Sequence, residues 1–298
     1  MNNPHASLTP ISNRLVPVFR YQRMPSAVMS VPELHGPLLS LPAAIHELFE
    51  LRIATDDRTE TDAFSVRWQV YCREYGYEPS EHFPDRCECD AADLRSVNVV
   101  AYYRATGTPV GCYRLLLADP AHLNSAFHVE EVCVQRQPGS LPEQGTARLG
   151  CAELSRFCII PSFRRCAAAA DRTPPAGIDP RRWEAEAPHR LNLAALLWLS
   201  AAHLTVHLRL DYLFVLMEPR LHQLCRSAGF TFQPIGPAVD FRGKRVPYRT
   251  DRRALRELLR APQTASLLAP VIGQWEKQAV AHPMLKSYLQ ARSERFAR

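Results

Sequence analysis

The sequence predicts an α/β fold of the α+β kind, and three observations carry that expectation. Strand candidates follow one another from residue 97 to 160 after a single helix, which favours an antiparallel sheet. Past residue 190 the pattern becomes helix, strand, helix, which lays helices against a side of that sheet. The stretch Cys151 to Phe163, CAELSRFCIIPSF, sets an acid and a base, Glu153 and Arg156, before a strand-forming run that stops at Pro161. Charges beside a buried strand are costly unless partnered, so this stretch predicts further charged groups around it.

In chain order, residues 1–40 are rich in Pro, Ser and Asn without a sustained period and are expected to form a loosely ordered arm. Pro42 to Leu51 has helical spacing, and Phe49 to Ala54 alternates like a strand before the turn Asp56-Asp57. Thr61 or Asp62 is the expected cap of a helix with the body Phe64 to Cys72, which Gly76 and Pro79 end. An irregular acidic loop leads to Glu88, Asp90 and Asp93. Val97 to Arg104 and Pro109 to Leu117, joined through Gly107, read as a hairpin. Phe127 to Val134 reads as a third strand, and the run ending at Ile160 as a fourth.

Residues 165–188 shift to Ala, Pro, Arg and Asp, the composition of a mobile surface insertion. A helix from Leu191 to Leu210 follows, interrupted by Asn192, Ser200, His203, Thr205, His207 and Arg209, so it reads as a buried helix and not a membrane span. Tyr212 to Met217 is a strand, Pro219 to Ala228 a helix stopped by Gly229, and the segment with Gly236, Gly243 and Pro247 is extended. Residues 41–250 then make the main domain, and 251–298 a helical extension without evident chemistry.

Length and composition narrow the function. The 298 residues are 46% apolar, and 36 Lys+Arg against 30 Asp+Glu leave a scattered charge of +6. That excess suits an acidic partner protein and is too weak for nucleic acid. The first thirty residues lack the apolar core and cleavage site of a secretory signal. The nine cysteines are odd in number, irregularly spaced and mostly set in apolar runs, so a reducing bacterial cytoplasm is expected.

Charges at element ends or inside apolar runs define the candidate site: Arg67, Glu88, Asp90, Asp93, Arg114, Glu153 and Arg156. Most such residues belong to solvated surface networks. Arg114 is the exception, because it sits inside Gly-Cys-Tyr-Arg-Leu-Leu-Leu, where a charge is tolerated only when paired.

The set Arg67…Tyr71…Tyr77, Glu88-x-Asp90-x-x-Asp93, Gly111-Cys-Tyr-Arg114-Leu, Phe127 and Glu153-Leu-Ser-Arg156-Phe resembles, in order and spacing, the signature of acyl-homoserine lactone synthases. It is more similar still to their relatives, the acyltransferases associated with PEP-CTERM/exosortase systems, through Val70 to Pro79 and Gly236-Pro with Gly243 to Tyr248. The resemblance spans residues 45 to 250 and implies a GNAT-like acyltransferase fold. That is a twisted mixed sheet with helices on both faces, whose splayed central strands, here Leu154 to Ile160 and Tyr212 to Met217, admit a phosphopantetheine thioester.

It further implies N-acyl transfer of a long chain from acyl carrier protein to an amine or amino-acid-like acceptor, with no tightly bound cofactor. By position, Glu153 is the expected base, with Arg114 and Arg156 orienting the carboxylates. Arg67, Glu88, Asp90 and Asp93 hold the acceptor or one another, and Tyr71, Tyr77 and Phe127 wall the cleft. Backbone N–H groups at Phe157 and Cys158 polarise the thioester carbonyl. Where coenzyme-A-dependent members carry a Gly-rich phosphate loop, this chain has Ser162-Phe-Arg-Arg-Cys and no glycine before Gly177, so acyl-coenzyme A is the less expected donor and Arg164 or Arg165 the expected phosphate contact.

Other chemistry finds less support. Cys87-x-Cys89 lacks the second ligand pair of a structural metal site, and His203 with His207 lacks a third ligand, so no metal is expected. Cys158 has no neighbouring His to activate it and reads as core. The competing functions are an acyl-homoserine lactone synthase and a catalytically silent carrier-binding protein; the charges retained inside apolar runs weigh against the second.

Overall fold

The computed structural model describes residues 45–142, 145–164, 173–175, 177–190 and 192–296. The arm at 1–40 and residues 165–172 of the insertion, including Arg165, lie outside the described residues. A single turn, α1 (Ile45–Leu48), leads into β1 (Phe49–Ile53), which buries alternate residues. α2 (Asp57–Arg67) starts earlier than its apolar body suggests. Asp56, not Thr61 or Asp62, caps it, accepting from the Thr59 amide at 2.8 Å and the Thr59 hydroxyl at 2.9 Å. The helix widens into a π-helical turn over Trp68–Glu74.

β2 (Ser96–Tyr103) and β3 (Thr108–Leu117) form the hairpin expected, with Gly107 at φ +67° in its turn. The strand expected at Phe127 to Val134 is instead the short helix α3 (His128–Val132). The Glu130 carboxylate reaches back to the Phe127 amide at 2.8 Å, and the Phe127 carbonyl accepts from Glu130 and Glu131; this local capping wins over the apolar alternation.

β4 (Cys151–Ile159) follows, then α4 (Pro180–Ala185), α5 (Ala187–Arg190) and the almost wholly buried α6 (Leu193–His207). The described part of the 165–188 segment lies at the surface, as expected, but is helical in part and anchored through one residue. Trp183 is buried edge-on to Phe163 and Tyr103, and the Arg190 guanidinium lies over its ring at 3.3 Å. β5 (Tyr212–Met217), α7 (Pro219–Ser227), β6 (Gln233–Pro234), β7 (Val239–Asp240) and β8 (Lys244–Asp251) complete the sheet. The helices α8 (Arg252–Arg260), α9 (Pro262–Ala281) and α10 (Pro283–Phe296) end the chain.

Among the described residues eight strands form a mixed sheet in the order β1-β2-β3-β4-β5-β8-β6, with β7 also paired to β8. Only β4 and β5 are parallel. Alternation sorts the side chains into two cores. Val100, Tyr102, Cys112 and Cys158 pack under α2, while Val99, Ala101, Tyr113 and Leu115 belong to the larger core that contains α6. The C-terminal helices shield the exposed edge of the sheet. The Trp275 indole donates to the Leu51 carbonyl at 3.0 Å and the Gln278 side chain accepts from the Ile53 amide at 3.1 Å, satisfying groups that β1 has no further strand to meet.

Two features of β4 shape the site. It pairs with β5 only from Cys151 to Leu154, opposite Tyr212 to Val215, and beyond that the two strands part. Against β3 its register shifts between Cys112↔Cys158 and Arg114↔Ser155, a bulge in which Arg156 adopts φ +51°. A non-glycine residue there is strained, and the bulge turns the Arg156 side chain to the α2 face while β4 bends away from β5.

Candidate active site

A cavity opens in the gap between β4 and β5. Ser155 to Ile159 line one side, Val215 to Glu218 the other, and Trp198 of α6 and Leu221 of α7 close it with apolar surface. Phe157 stacks on Trp198 with ring centroids 5.0 Å apart, and Trp198 meets Phe230 and Phe232 edge-on behind it. The π-helical turn after α2 brings Val70, Tyr71 and Tyr75 over the opening, and Tyr77 follows, stacked on Tyr75 at 5.2 Å. Arg164, Arg242 and Arg245 ring the cavity, held by Glu74, Glu78 and Glu218.

On the α2 face of the sheet the predicted charges form one buried lattice. Arg67 at the end of α2 grips Asp93 with two nitrogens, at 2.7 and 3.1 Å, and donates its Nε to Glu88. Arg114 on β3 donates to Asp90 at 2.6 Å and to the Ser155 hydroxyl of the facing strand at 3.0 Å. Arg156 reaches Glu88 at 3.0 Å and Asp90 at 2.9 Å, with Glu78 at 3.6 Å. Asp90 and Asp93 also cap the turn Ala91–Arg95, which fixes both carboxylates against the backbone.

Burial by itself would raise the Glu88 carboxyl, but Arg156 and then Arg67 overcome it and hold it at about 2. Asp90 is lowered further in the same way, by Arg114 and then Arg156 against its burial.

Glu153 is a different kind of carboxylate. It is buried at the root of the cleft, where it lines the cavity, and its Oε2 accepts from the Val129 amide of α3 at 2.9 Å. Arg114 and Arg156 turn hydrogen bonds to Asp90, Ser155 and Glu88, orienting the carboxylates of the lattice. Burial therefore dominates and raises Glu153 to about 7, partly offset by the Val129 hydrogen bond and by the more distant Arg114 and Arg95. A carboxylate poised near neutrality inside a cleft can take a proton from an amine and return it.

His128 stands between this cavity and a second, polar chamber lined by Glu78, Glu88, Asp90, Arg95, Arg114 and Glu131. His128 and Arg156 line both spaces. Burial, then the charges of Arg156 and Arg114, lower His128 to about 3, so the ring stays neutral.

Of the residues singled out from the sequence, Tyr71, Tyr77, Glu153, Arg156, Phe157 and Cys158 line the apolar cavity, and Glu88, Asp90, Arg114 and again Arg156 line the polar chamber. Arg67 and Asp93 lie behind them as the lattice's buried base. Phe127 does not wall the cleft. It is buried in the larger core against Phe214, with Arg95 and Arg148 over its ring, and its carbonyl starts α3. Cys158 lies 3.5 Å from Cys112, and burial followed by that thiol pushes it well above its ordinary range, which suits packing and not nucleophilic attack.

Sequence reasoning missed His128, Glu78, Trp198, Arg242 and Arg245. Trp198 carries a signal in hindsight, since it is the single aromatic in the helix LAALLWLSAAHLTVH. Glu78 and Arg242 sit in loops, His128 begins α3 and Arg245 lies near the start of β8, and none of them carries a local signal.

Residues 66–171 match the family model of the acetyltransferase (GNAT) domain. The fold is thus of the GNAT type, and the chain is an acyltransferase by that match. No curated protein matches it. Among solved structures the chain is similar to the AHL synthase LasI, 16% identical over 74% of this chain and 95% of that one, with a TM-score of 0.46. It is also similar to BjaI, a CoA-dependent acyl-homoserine lactone synthase with SAM and isopentyl-CoA, at 18% identity over 71% and 87%, TM-score 0.46. A third is FeeM, an N-acyl amino acid synthase from uncultured soil microbes, at 14% identity over 75% and 97%, TM-score 0.44. At these scores the likenesses carry no weight for substrate or donor. Among the described residues no helix is long and apolar enough to cross a membrane.

Proposed function

We propose that the chain is an N-acyltransferase that passes a long acyl chain from acyl carrier protein to a primary amine, with Glu153 as its base. The observation that carries this reading is the position of Glu153 at the root of the splayed strands, beside the passage where His128 and Arg156 divide an apolar cavity from a polar one. The acyl chain lies against Trp198, Phe157 and Leu221, and the amine waits in the polar chamber. Glu153 takes a proton from the ammonium, directly or through a water, and the freed nitrogen attacks the thioester carbon. The backbone N–H of Phe157, on the part of β4 that has left β5, holds the oxyanion, while that of Cys158 faces Cys112 across the β3 ladder. The tetrahedral intermediate collapses by breaking its carbon–sulfur bond; the second proton lost by the nitrogen goes to the departing thiolate, and the one taken by Glu153 is released to water, leaving a neutral amide and a thiol.

Acyl carrier protein is the proposed donor because the turn after β4 is Pro161–Phe163 and Arg164, with no glycine cradle for a pyrophosphate, and because the formal charge is +6. Arg164 at the cavity rim is the proposed phosphate contact. Assignment to a PEP-CTERM/exosortase system rests on two sequence matches that border the cavity: Tyr71 to Tyr77 over its opening, and Val246 to Tyr248 on β8, paired with Met217 to Val215. The proposed place of action is the bacterial cytoplasm. A second reading, an acyl-homoserine lactone synthase, is favoured by the acidic lining of the polar chamber, which suits a sulfonium cation.

The test is incubation of the purified protein with a long acyl chain on carrier protein or on coenzyme A, with pooled amines or with S-adenosylmethionine, and mass spectrometry of the products. N-acyl amine formed faster from the carrier-bound chain, with a preference that shrinks as salt rises, is expected. Equal rates with both donors at low salt would remove the carrier assignment. Acyl-homoserine lactone formed at about 0.1 per second or faster would replace the amine reading with the second one.

A further inference from the structure

The C-terminal helices bring to α6 a residue that lies far from it in the sequence. His203 and His207 stand one turn apart on the same side of α6, their rings nearly parallel with centroids 6.1 Å apart. Glu276 of α9 meets them, its Oε1 lying 3.6 Å from Nδ1 of His207. One ligand atom from each of the three lies within 4.8 Å of the other two. A small cleft runs beside them, walled by Trp275 of α9 and by Ile53, Val99 and Leu204.

A second observation points to a ligand. Nε2 of His203 is buried and has no hydrogen-bond partner among the described residues, although buried ring nitrogens are ordinarily satisfied.

We propose that His203, His207 and Glu276 bind one divalent transition-metal ion of the zinc class, which clips α9 onto α6. Two imidazoles and a carboxylate are the borderline donor set that zinc accepts, with water completing the shell from the open side. Donor atoms around a tetrahedral ion are roughly 3.3 Å apart, so from separations of up to 4.8 Å the three must draw together by as much as about 1.5 Å. The side chains of His207 and Glu276, 27% and 46% exposed, are free to make that move. The same helix supplies Trp275 and Gln278 to the edge of β1, so the ion would fix the helix that shields the sheet.

The experiment uses the full chain without an affinity tag, stripped with chelator and titrated with Co²⁺ and Zn²⁺ alone. Expected are one Co²⁺ per chain with the visible absorption of a low-coordinate ion, its displacement by Zn²⁺, and a melting temperature that rises with Zn²⁺. Glu276→Gln, at a half-exposed position that threatens folding little, and His203→Ala should each weaken binding by at least about tenfold, since even loss of a supporting residue costs that much. A Cys87→Ser/Cys89→Ser variant should bind as the parent does. No uptake by the folded parent, uptake unchanged in Glu276→Gln, or uptake lost in the cysteine variant would each overturn the proposal.

Discussion

The lattice on the α2 face and the carboxylate at the root of the cleft lie side by side and treat the same functional group in opposite ways. Glu88 and Glu153 are both buried. Glu88 is met by two guanidiniums and held at about 2, while Glu153 is met by one backbone amide and raised to about 7. Charge in the first region is fully spent on internal partners. In the second it is left to titrate, as a general base requires and a structural ion pair does not. Arg156 joins the two, since it anchors the lattice while lining both chambers.

Removing a cation from the lattice should have the largest effect. Arg67→Met leaves Asp93 and Glu88 buried with fewer partners and is expected to cost about 3–5 kcal/mol in urea unfolding. A loss under about 1 kcal/mol, the worth of a surface pair, would show that the lattice is not a buried structural unit.

Glu153→Gln should lower acyl transfer by at least about a hundredfold and leave the fold intact. Its stability should also separate the two regions. The folded protein binds the Glu153 proton more tightly than the unfolded chain, so the parent loses stability as pH rises from 4.5 to about 7 and stays lower above that. The Gln variant escapes this loss and should equal the parent in acid but be more stable above neutrality, by at most about 3 kcal/mol. Glu88 has the reverse sign. Its folded pKa lies below 4.5, so the stability it brings is complete above that value and is lost as pH falls toward about 2. Glu88→Gln should therefore flatten the parent's acid-unfolding curve over that window, which a pH titration by circular dichroism would read.

The smallest effect is expected at Tyr71. Its hydroxyl donates to the Phe157 carbonyl at a long 3.3 Å and burial holds it un-ionised, so Tyr71→Phe should change turnover by less than about tenfold, the order of one neutral hydrogen bond. A larger loss would give the hydroxyl a part in the chemistry.

The charged half of this contrast is legible in the sequence because burial leaves a mark there. Arg114 inside Cys-Tyr-Arg-Leu-Leu-Leu and Glu153 and Arg156 beside an apolar strand announce themselves as charges that need partners. How those partners divide is not legible. That Glu153 receives the Val129 amide depends on α3, which reads as a strand until Glu130 folds back on Phe127. The bulge at Arg156 shows only in register, and the parting of β4 from β5 follows from the resemblance and not from any local pattern. Glu276 beside His203 is illegible for a simpler reason: the pair is made by helix packing across a long stretch of chain, which periodicity does not report.

The central claim is that Glu153 is a carboxylic acid that titrates near neutrality, and infrared difference spectroscopy reads that directly. The protonated-carboxyl band of the parent should disappear with a midpoint near pH 7 as pH is raised, and the same difference band should be missing from Glu153→Gln. A parent without any such band between about pH 5 and 9, or a band that survives in Glu153→Gln, would contradict the account.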